Sequence, residues 1–283
     1  MGKFFEALKK SQTLISRPSP ESPSTKLDNI SAKTVNAMKP NVTTMQGTVE
    51  EPFFSGNGID PRLTSFLEPG SPVAESFKML RAKILLTKDL KSRPRTIMVT
   101  SPLPLDGKSM VAANLAISIA QGINEYVMLV DCDLRKPSID RLLGLSLHKG
   151  IRDYLEDGTS VAPYFVKTSV AKLTVLPAGK VPPNPSELLS SEKMRLLVEE
   201  LKGRYEDRYI IFDATPAHFA AETTFLASMV DGVLLVVRSG KTARDSILQA
   251  IENIGREKII GVVFNASNED SRTYDYYYQY YRK

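Results

Sequence analysis

One cysteine, two histidines and no tryptophan in 283 residues exclude several kinds of protein at the outset. Cys132 has no partner for a disulfide, which rules out a disulfide scaffold and suits a reducing compartment. Two histidines and one cysteine cannot assemble a zinc site of the Cys/His kind. No apolar run approaches the ~20 residues that a bilayer-crossing helix needs, and the first residues carry no secretory apolar core. Charge of one sign is also missing. Lys and Arg number 37 against 32 Asp and Glu, a net +5, and the basic residues are too scattered to make a nucleic-acid surface. The expectation is a soluble, cytoplasmic protein with no nucleic-acid partner.

What is present is distributed unevenly. Hydrophobic residues make up 42% of the chain, enough for one α/β domain of about 200 residues with extensions. In residues 1–15, Phe4, Phe5 and Leu8 fall on one side of a short amphipathic helix, and Lys3, Glu6, Lys9 and Lys10 fall largely on the other. Such a helix is too short to stand alone in water. It either folds against a partner or membrane surface, or is a leader without a role. Residues 16–60, rich in Ser, Pro, Thr and Asn, read as a disordered linker. Residues 61–267 form the folded domain and 268–283 a tail.

That tail holds six of the eleven tyrosines: Tyr274, Tyr276, Tyr277, Tyr278, Tyr280 and Tyr281, followed by Arg282 and Lys283. With no further segment to pair with, it is expected to be frayed and exposed. Two readings are open. The ring cluster is an aromatic contact surface, or the hydroxyls are phosphate acceptors, each phosphate adding nearly two negative charges.

Within the domain, regular structure is expected from near Pro72, with a helix over 73–90. Continuous apolar strands follow at 96–101, 126–133, 173–179, 209–215, 232–240 and 259–267. Helices are expected over 108–122, 186–205 and 242–254. Fully apolar strands alternating with helices predict a mostly parallel sheet covered on both faces. Between the first strand and its helix lies SPLPLDGKSM, where a phosphate-binding loop must be. Asp106, Gly107, Lys108, Ser109 and Met110 are the candidate nucleotide contacts. Gly107-Lys108-Ser109 match the end of GxxxxGK[ST], although Pro102 replaces the first glycine and GKS alone occurs by chance. Backbone N–H groups and the helix N-terminus would hold phosphate oxygens, Lys108 would neutralise the β and γ phosphates of ATP, and Ser109 would ligate Mg²⁺.

Three carboxylates sharpen this reading. VDCDLRKP puts Asp131 and Asp133 at the carboxyl end of the next strand, on one side of the pleat, and FDATP puts Asp213 at the end of another. Ligands of open α/β sheets bind outside those ends, and acids beside a phosphate site suit a Mg²⁺–nucleotide. Cys132, between the two acids, points the other way into the core.

With these motifs, and with LPAGKVPPNPSELLSS, VVRSGKT, GVVFN and the tyrosine tail, the chain from about Ser71 onward resembles the bacterial tyrosine kinases of capsule and exopolysaccharide synthesis. The resemblance implies a P-loop NTPase-type fold and an ATP- and Mg²⁺-dependent autokinase that phosphorylates its own tail in trans. It implies Lys108 and Ser109 on phosphates and Mg²⁺, Asp131 as base toward the incoming tyrosine, and Asp133 and Asp213 on the metal and its waters. It implies a ring-like homo-oligomer through Glu75, Lys78 and Arg81, the counterpart of an ExxRxxR motif. Lys78 departs from arginine and loses its bidentate fork. It further implies a membrane polysaccharide co-polymerase as a separate partner, a tyrosine phosphatase, and a cytoplasmic location peripheral to the inner membrane. Leu105 stands where the family often has glycine, and DATP replaces the commoner DTPP.

Two residues keep alternative readings. Arg135 can approach a phosphate or be an exposed charge, and Asn265 can read adenine or start a turn. Two other functions share the fold: a partitioning-type ATPase switch and a non-catalytic nucleotide-binding scaffold. The first carries a lysine where this chain has Leu103 and lacks a tyrosine tail; the second does not need the retained acids.

Overall fold

Strands that are apolar on both faces must be covered on both faces, and the described chain meets this with helices on either side of one sheet. The computed structural model describes residues 58–86, 93–204, 208–218 and 220–267. The expectations for residues 1–15, for 16–57 and for the tyrosine tail lie outside the described residues.

The strands are β1 (Thr96–Thr100), β2 (Tyr126–Asp131), β3 (Val166–Lys167), β4 (Leu173–Leu176), β5 (Arg208–Asp213), β6 (Gly232–Arg238) and β7 (Ile259–Asn265). They lie in the order β3-β4-β2-β5-β1-β6-β7. All pairs are parallel except β3 with β4. The helices are α1 (Thr64–Leu67), α2 (Pro72–Leu85), α3 (Lys108–Ala120), α4 (Ile139–Leu142), α5 (Ile151–Asp157), α6 (Pro185–Leu189), α7 (Glu192–Arg204), α8 (Ala221–Met229) and α9 (Arg244–Ile254). None among the described residues is long and apolar enough to cross a membrane.

Alternation along the strands divides the core into two layers. Ile97, Val99, Leu129 and Ile211 face α2 and α3, while Met98, Met128, Ile210 and Phe212 face α7, α8 and α9. Helix α3 is buried almost all round because Ala112, Ala113, Ala116 and Ala120 let its neighbours approach closely. Helix α2 lies over it, burying Phe77 and Ile84, each worth about 1.5–3 kcal/mol.

Three boundaries differ from the sequence expectation. Regular structure starts before Pro72: Leu63 is fully buried, and Asn114 of α3 pins the segment by accepting from Ser65 N at 2.9 Å and donating to Arg62 O at 3.0 Å. The end of the expected linker is also folded, since Asp60 N donates to Leu142 O at 3.0 Å. The single helix expected over 186–205 is two. Ser191 Oγ accepts from Met194 N at 3.2 Å, starting α7 with a new cap and breaking it from α6. Helices α4, α5 and α8 carry too few residues of clear period to stand out in the sequence.

Candidate active site

The loop from Ser101 to Gly107 joins β1 to α3, and its shape depends on two left-handed residues. Gly107 has φ +98° and Leu105 φ +69°. A Cβ on Gly107 would lie 2.0 Å from Asn265 Nδ2, so only glycine fits without displacement. Leu105 has no such exemption, and a left-handed non-glycine residue costs about 1–2 kcal/mol. Braces from β6 and β7 hold the loop in place. Arg238 Nη1 donates to Leu105 O at 3.1 Å, Thr242 Oγ1 donates to Asp106 Oδ1 at 2.9 Å, and Asn265 Nδ2 donates to Asp106 O at 2.8 Å. Asp106 Oδ2 accepts from Leu103 N at 3.1 Å. Asp106, a candidate nucleotide contact, and Asn265, which could read adenine or start a turn, both shape the loop here. Met110 lies in the first turn of α3, its sulfur accepting from Asn114 Nδ2 at 3.3 Å.

Helix α3 begins at Lys108 with no side-chain cap, which leaves its first N–H groups open toward an anion. Lys108 Nζ lies 2.7 Å from Asp133 Oδ2 and 3.5 Å from Asp213 Oδ1, and donates to Ser109 Oγ at 3.0 Å. Burial works against the ammonium, but the charges of Asp213 and Asp133 outweigh it and raise its pKa. Asp213 is fully buried, and its oxygens have no close hydrogen-bond partner beyond the side chains of Lys108 and Ser109. Burial raises its pKa, with Lys108 pulling the other way.

Asp131 is engaged differently. Its Oδ1 accepts from Asp133 N at 3.1 Å and its Oδ2 from Ser138 N and Ile139 N, both at 3.1 Å. The carboxylate therefore ties off the loop that carries Asp133. Burial, then the charge of Asp213, pushes its pKa up to about 8. Cys132 points into the α7–α9 core layer, and burial with the surrounding acids holds its thiol well above the ordinary range, which leaves it unreactive. Arg135 is held by other partners: Nε donates to Glu222 Oε1 at 2.8 Å and Nη2 to Ser186 Oγ at 2.7 Å, and Ser186 Oγ donates to Glu222 Oε2 at 3.0 Å. Glu222 is buried. It closes a triangle between the loop after β2, helix α6 and helix α8.

Among the described residues no three His, Cys, Asp or Glu side chains form a ready metal cage. Two carboxylates and the Ser109 hydroxyl are nevertheless a fitting donor set for Mg²⁺, which takes one or two carboxylates and fills its octahedron with phosphate oxygens and waters. The loosely partnered oxygens of fully buried Asp213, with Lys108 no nearer than 3.5 Å, are the observation that favours a cation there.

No family model matches the chain, but individual proteins do. Tyrosine-protein kinase YwqD of Bacillus subtilis (strain 168) is 32% identical over 225 residues, covering 78% of this chain and 93% of YwqD. The chain belongs to the bacterial tyrosine-protein kinase family. Among solved structures, the chimerical protein CapA2B2 superposes with a TM-score of 0.67 at 30% identity, over 77% of this chain and 96% of that one. The tyrosine-protein kinase wzc of Salmonella typhimurium is 29% identical over 224 residues, which are 77% of this chain but 31% of wzc. The fold of this kinase is the P-loop type expected from the sequence.

The working parts of the brace and the triangle are not apparent from the sequence. Arg238 and Thr242 stand within the noted VVRSGKT segment, so their location was visible and their partner loop was not. Glu222 carried no signal, because a glutamate opening a helix is usually an ordinary helix-end charge.

Proposed function

We propose that this tyrosine kinase transfers the γ-phosphoryl group of Mg²⁺–ATP to the tyrosines of its own tail, Tyr274 through Tyr281, each copy serving as substrate for another. One observation carries the reading. Lys108, at the end of a glycine-bearing loop and the start of α3, lies within 2.7 Å and 3.5 Å of acids from two other strand ends. With a nucleotide bound, Lys108 would take phosphate oxygens as partners, and Asp133 and Asp213 would hold the metal. Bound Mg²⁺ would neutralise charge on the transferring group. Asp131, at the end of β2 and in register with Asp213, would accept the tyrosine proton. Asp106, Gly107, Met110, Arg135 and Asn265 remain candidates for contact with the nucleotide. Incubation with labelled ATP followed by phosphoamino-acid analysis tests this; label on serine alone, or phosphate release without protein label, overturns it.

Assembly through α2 belongs to the same proposal. Lys78 Nζ pairs with Glu75 Oε1 at 2.7 Å, whereas Arg81 Nη1 donates to Ser118 O at 2.5 Å, anchoring α2 on α3. Replacing Glu75 and Lys78 by alanine, with Arg81 left in place, should lower the sedimenting mass and labelling between copies. Unchanged sedimentation would remove this helix from the interface. The greater length of wzc supports a polysaccharide co-polymerase as a membrane partner. This protein would then act at the cytoplasmic face, with a tyrosine phosphatase resetting the tail and exopolysaccharide polymerisation and export as the regulated process.

A further inference from the structure

The sheet ends, among the described residues, on β7, and that edge is unusually apolar. Ile260, Val262 and Phe264 are 43%, 36% and 59% exposed. Val262 and Phe264 pair in register with Leu235 and Val237, whose side chains face the α7–α9 layer, so their own side chains extend that layer beyond the last strand. Ile260 sits at the register shift beside Val233 and Leu234 and lies against Gly232 on the opposite, α2–α3 face. A seven-residue edge carrying such a stripe is a template for another strand unless something covers it. At the opposite end the sheet closes with the two-residue antiparallel β3, which offers no comparable edge.

The chain itself continues from this edge. Ala266, the first residue after β7, has φ +54°, a left-handed conformation typical of a turn rather than of continuing strand. Ser267, Asn268, Asp270 and Ser271 follow, residues that favour turns, before the run from Tyr274 to Tyr281. That run nearly equals β7 in length. Its two faces differ: Tyr274, Tyr276, Tyr278 and Tyr280 would share one, and Asp275, Tyr277, Gln279 and Tyr281 the other. A half-buried strand takes the register that puts its more apolar face inward, and here that is the all-tyrosine face.

We propose that residues 274–281 of the unphosphorylated tail pair antiparallel along the free edge of β7 as an eighth strand. Tyr274, Tyr276, Tyr278 and Tyr280 then continue the stripe of Val262 and Phe264. The tail is favoured over a second copy or a foreign peptide because it is tethered next to the edge, at an effective concentration in the millimolar range. Backbone pairing supplies the attachment and the alternate side chains its register. A consequence follows that rests on the tyrosine-kinase reading: docked hydroxyls are withheld from a neighbouring active site. A phosphate on the inward face would bring nearly two charges onto apolar surface, so a modified tail leaves the edge.

The test is amide hydrogen exchange on the full unphosphorylated chain and on its Tyr276→Pro/Tyr280→Pro double variant. Asn265 turns its carbonyl to β6, so Val262 and Phe264 turn theirs outward, and the variant keeps four tyrosines and the whole folded domain but removes two N–H groups that would face them. Residues 259–265 should exchange about tenfold more slowly in the native chain, equally at low and high protein concentration, and the variant should label faster with ATP. Equal exchange in the two proteins overturns the docking. Protection that grows with protein concentration also overturns it, because a second copy is then the occupant. Protection lost in the variant, with neither protein able to label, upholds the docking and refutes the kinase reading instead.

Discussion

Asn265 donates its side-chain amide to the carbonyl of Asp106 at 2.8 Å, across 159 positions of sequence. The contact fastens the phosphate-binding loop to the end of β7, and the same amide fills the space where a Gly107 side chain would go. Gly107→Ala should therefore abolish nucleotide binding and destabilise the fold by about 1–2 kcal/mol, from its left-handed backbone and this collision. In an Asn265→Ala background the collision disappears and part of that cost with it. A thermal-melt double-mutant cycle with additive effects would show that the two residues do not compete for this space.

Lys108→Met should remove tyrosine labelling altogether while the protein still folds. The acids left without their cation can take up protons, as the raised pKa values of Asp131 and Asp213 already favour. Phosphotyrosine detection after incubation with Mg²⁺–ATP checks this; undiminished label would place the phosphate-binding lysine elsewhere.

Leu105→Gly should stabilise the protein, by up to about 1 kcal/mol once glycine's greater freedom in the unfolded chain is set against the relieved backbone. The side chain is 86% exposed, so little packing is lost. A melting temperature below that of the native chain would mean that Leu105 makes a contact offsetting its strain.

Asp131→Asn should impair phosphotransfer more than ATP affinity, yet affect both. Its Oδ1 and Oδ2 together receive three backbone N–H groups, and an amide must turn its own NH₂ toward at least one of them. Nucleotide affinity measured beside the labelling rate separates the effects. An unchanged rate would leave Asp131 as the knot of its loop with no part in proton transfer.

The parts of the site built from neighbouring residues were legible in the sequence. A strand, a turn with GKS and a helix form a local unit, and strand-end acids converge because a parallel sheet brings its carboxyl ends together. The convergence of Asp133 and Asp213 on Lys108 follows from that topology alone. Asn265 against Asp106, Arg135 with Glu222, and Asn114 under Ser65 were not legible. Each is one polar pair between distant segments, and no periodicity records which distant carbonyl a side-chain amide will find. The break between α6 and α7 was missed for the opposite reason: Ser190 and Ser191 are compatible with a helix, and only the capping bond of Ser191 decides against it.

A pH experiment probes the sheet's amino-terminal end, remote from the acids. Asp231 Oδ2 accepts from Arg95 N and Thr96 N at 3.0 and 2.9 Å, and Oδ1 from Lys202 Nζ at 2.9 Å. Burial opposes ionisation, but Lys202 and the strand N–H groups hold the pKa below the ordinary value. A depressed carboxylate adds stability above its unfolded pKa of about 4 and loses it as pH falls through the lower folded value. Asp231→Asn should therefore be less stable than the native chain at pH 7, with the gap closing below about pH 4. A gap independent of pH would assign the loss to the hydrogen bonds and not to the charge.

Gly144 has φ +67°, and a Cβ there would lie 2.7 Å from Gly58 O, two residues before Asp60 meets Leu142. The strip that leads into the domain is thus laid flush against the far end of the loop that Asp131 closes. Such a seam has no slack. An insertion or deletion between Asp131 and Gly144 would have to be matched by a change near Gly58, some eighty residues earlier, whereas the exposed turn around Ile123 can vary in length by itself. In this chain, tolerance to length change is set by which backbone segments lie against one another, and the region best protected from it is the one that carries Asp133.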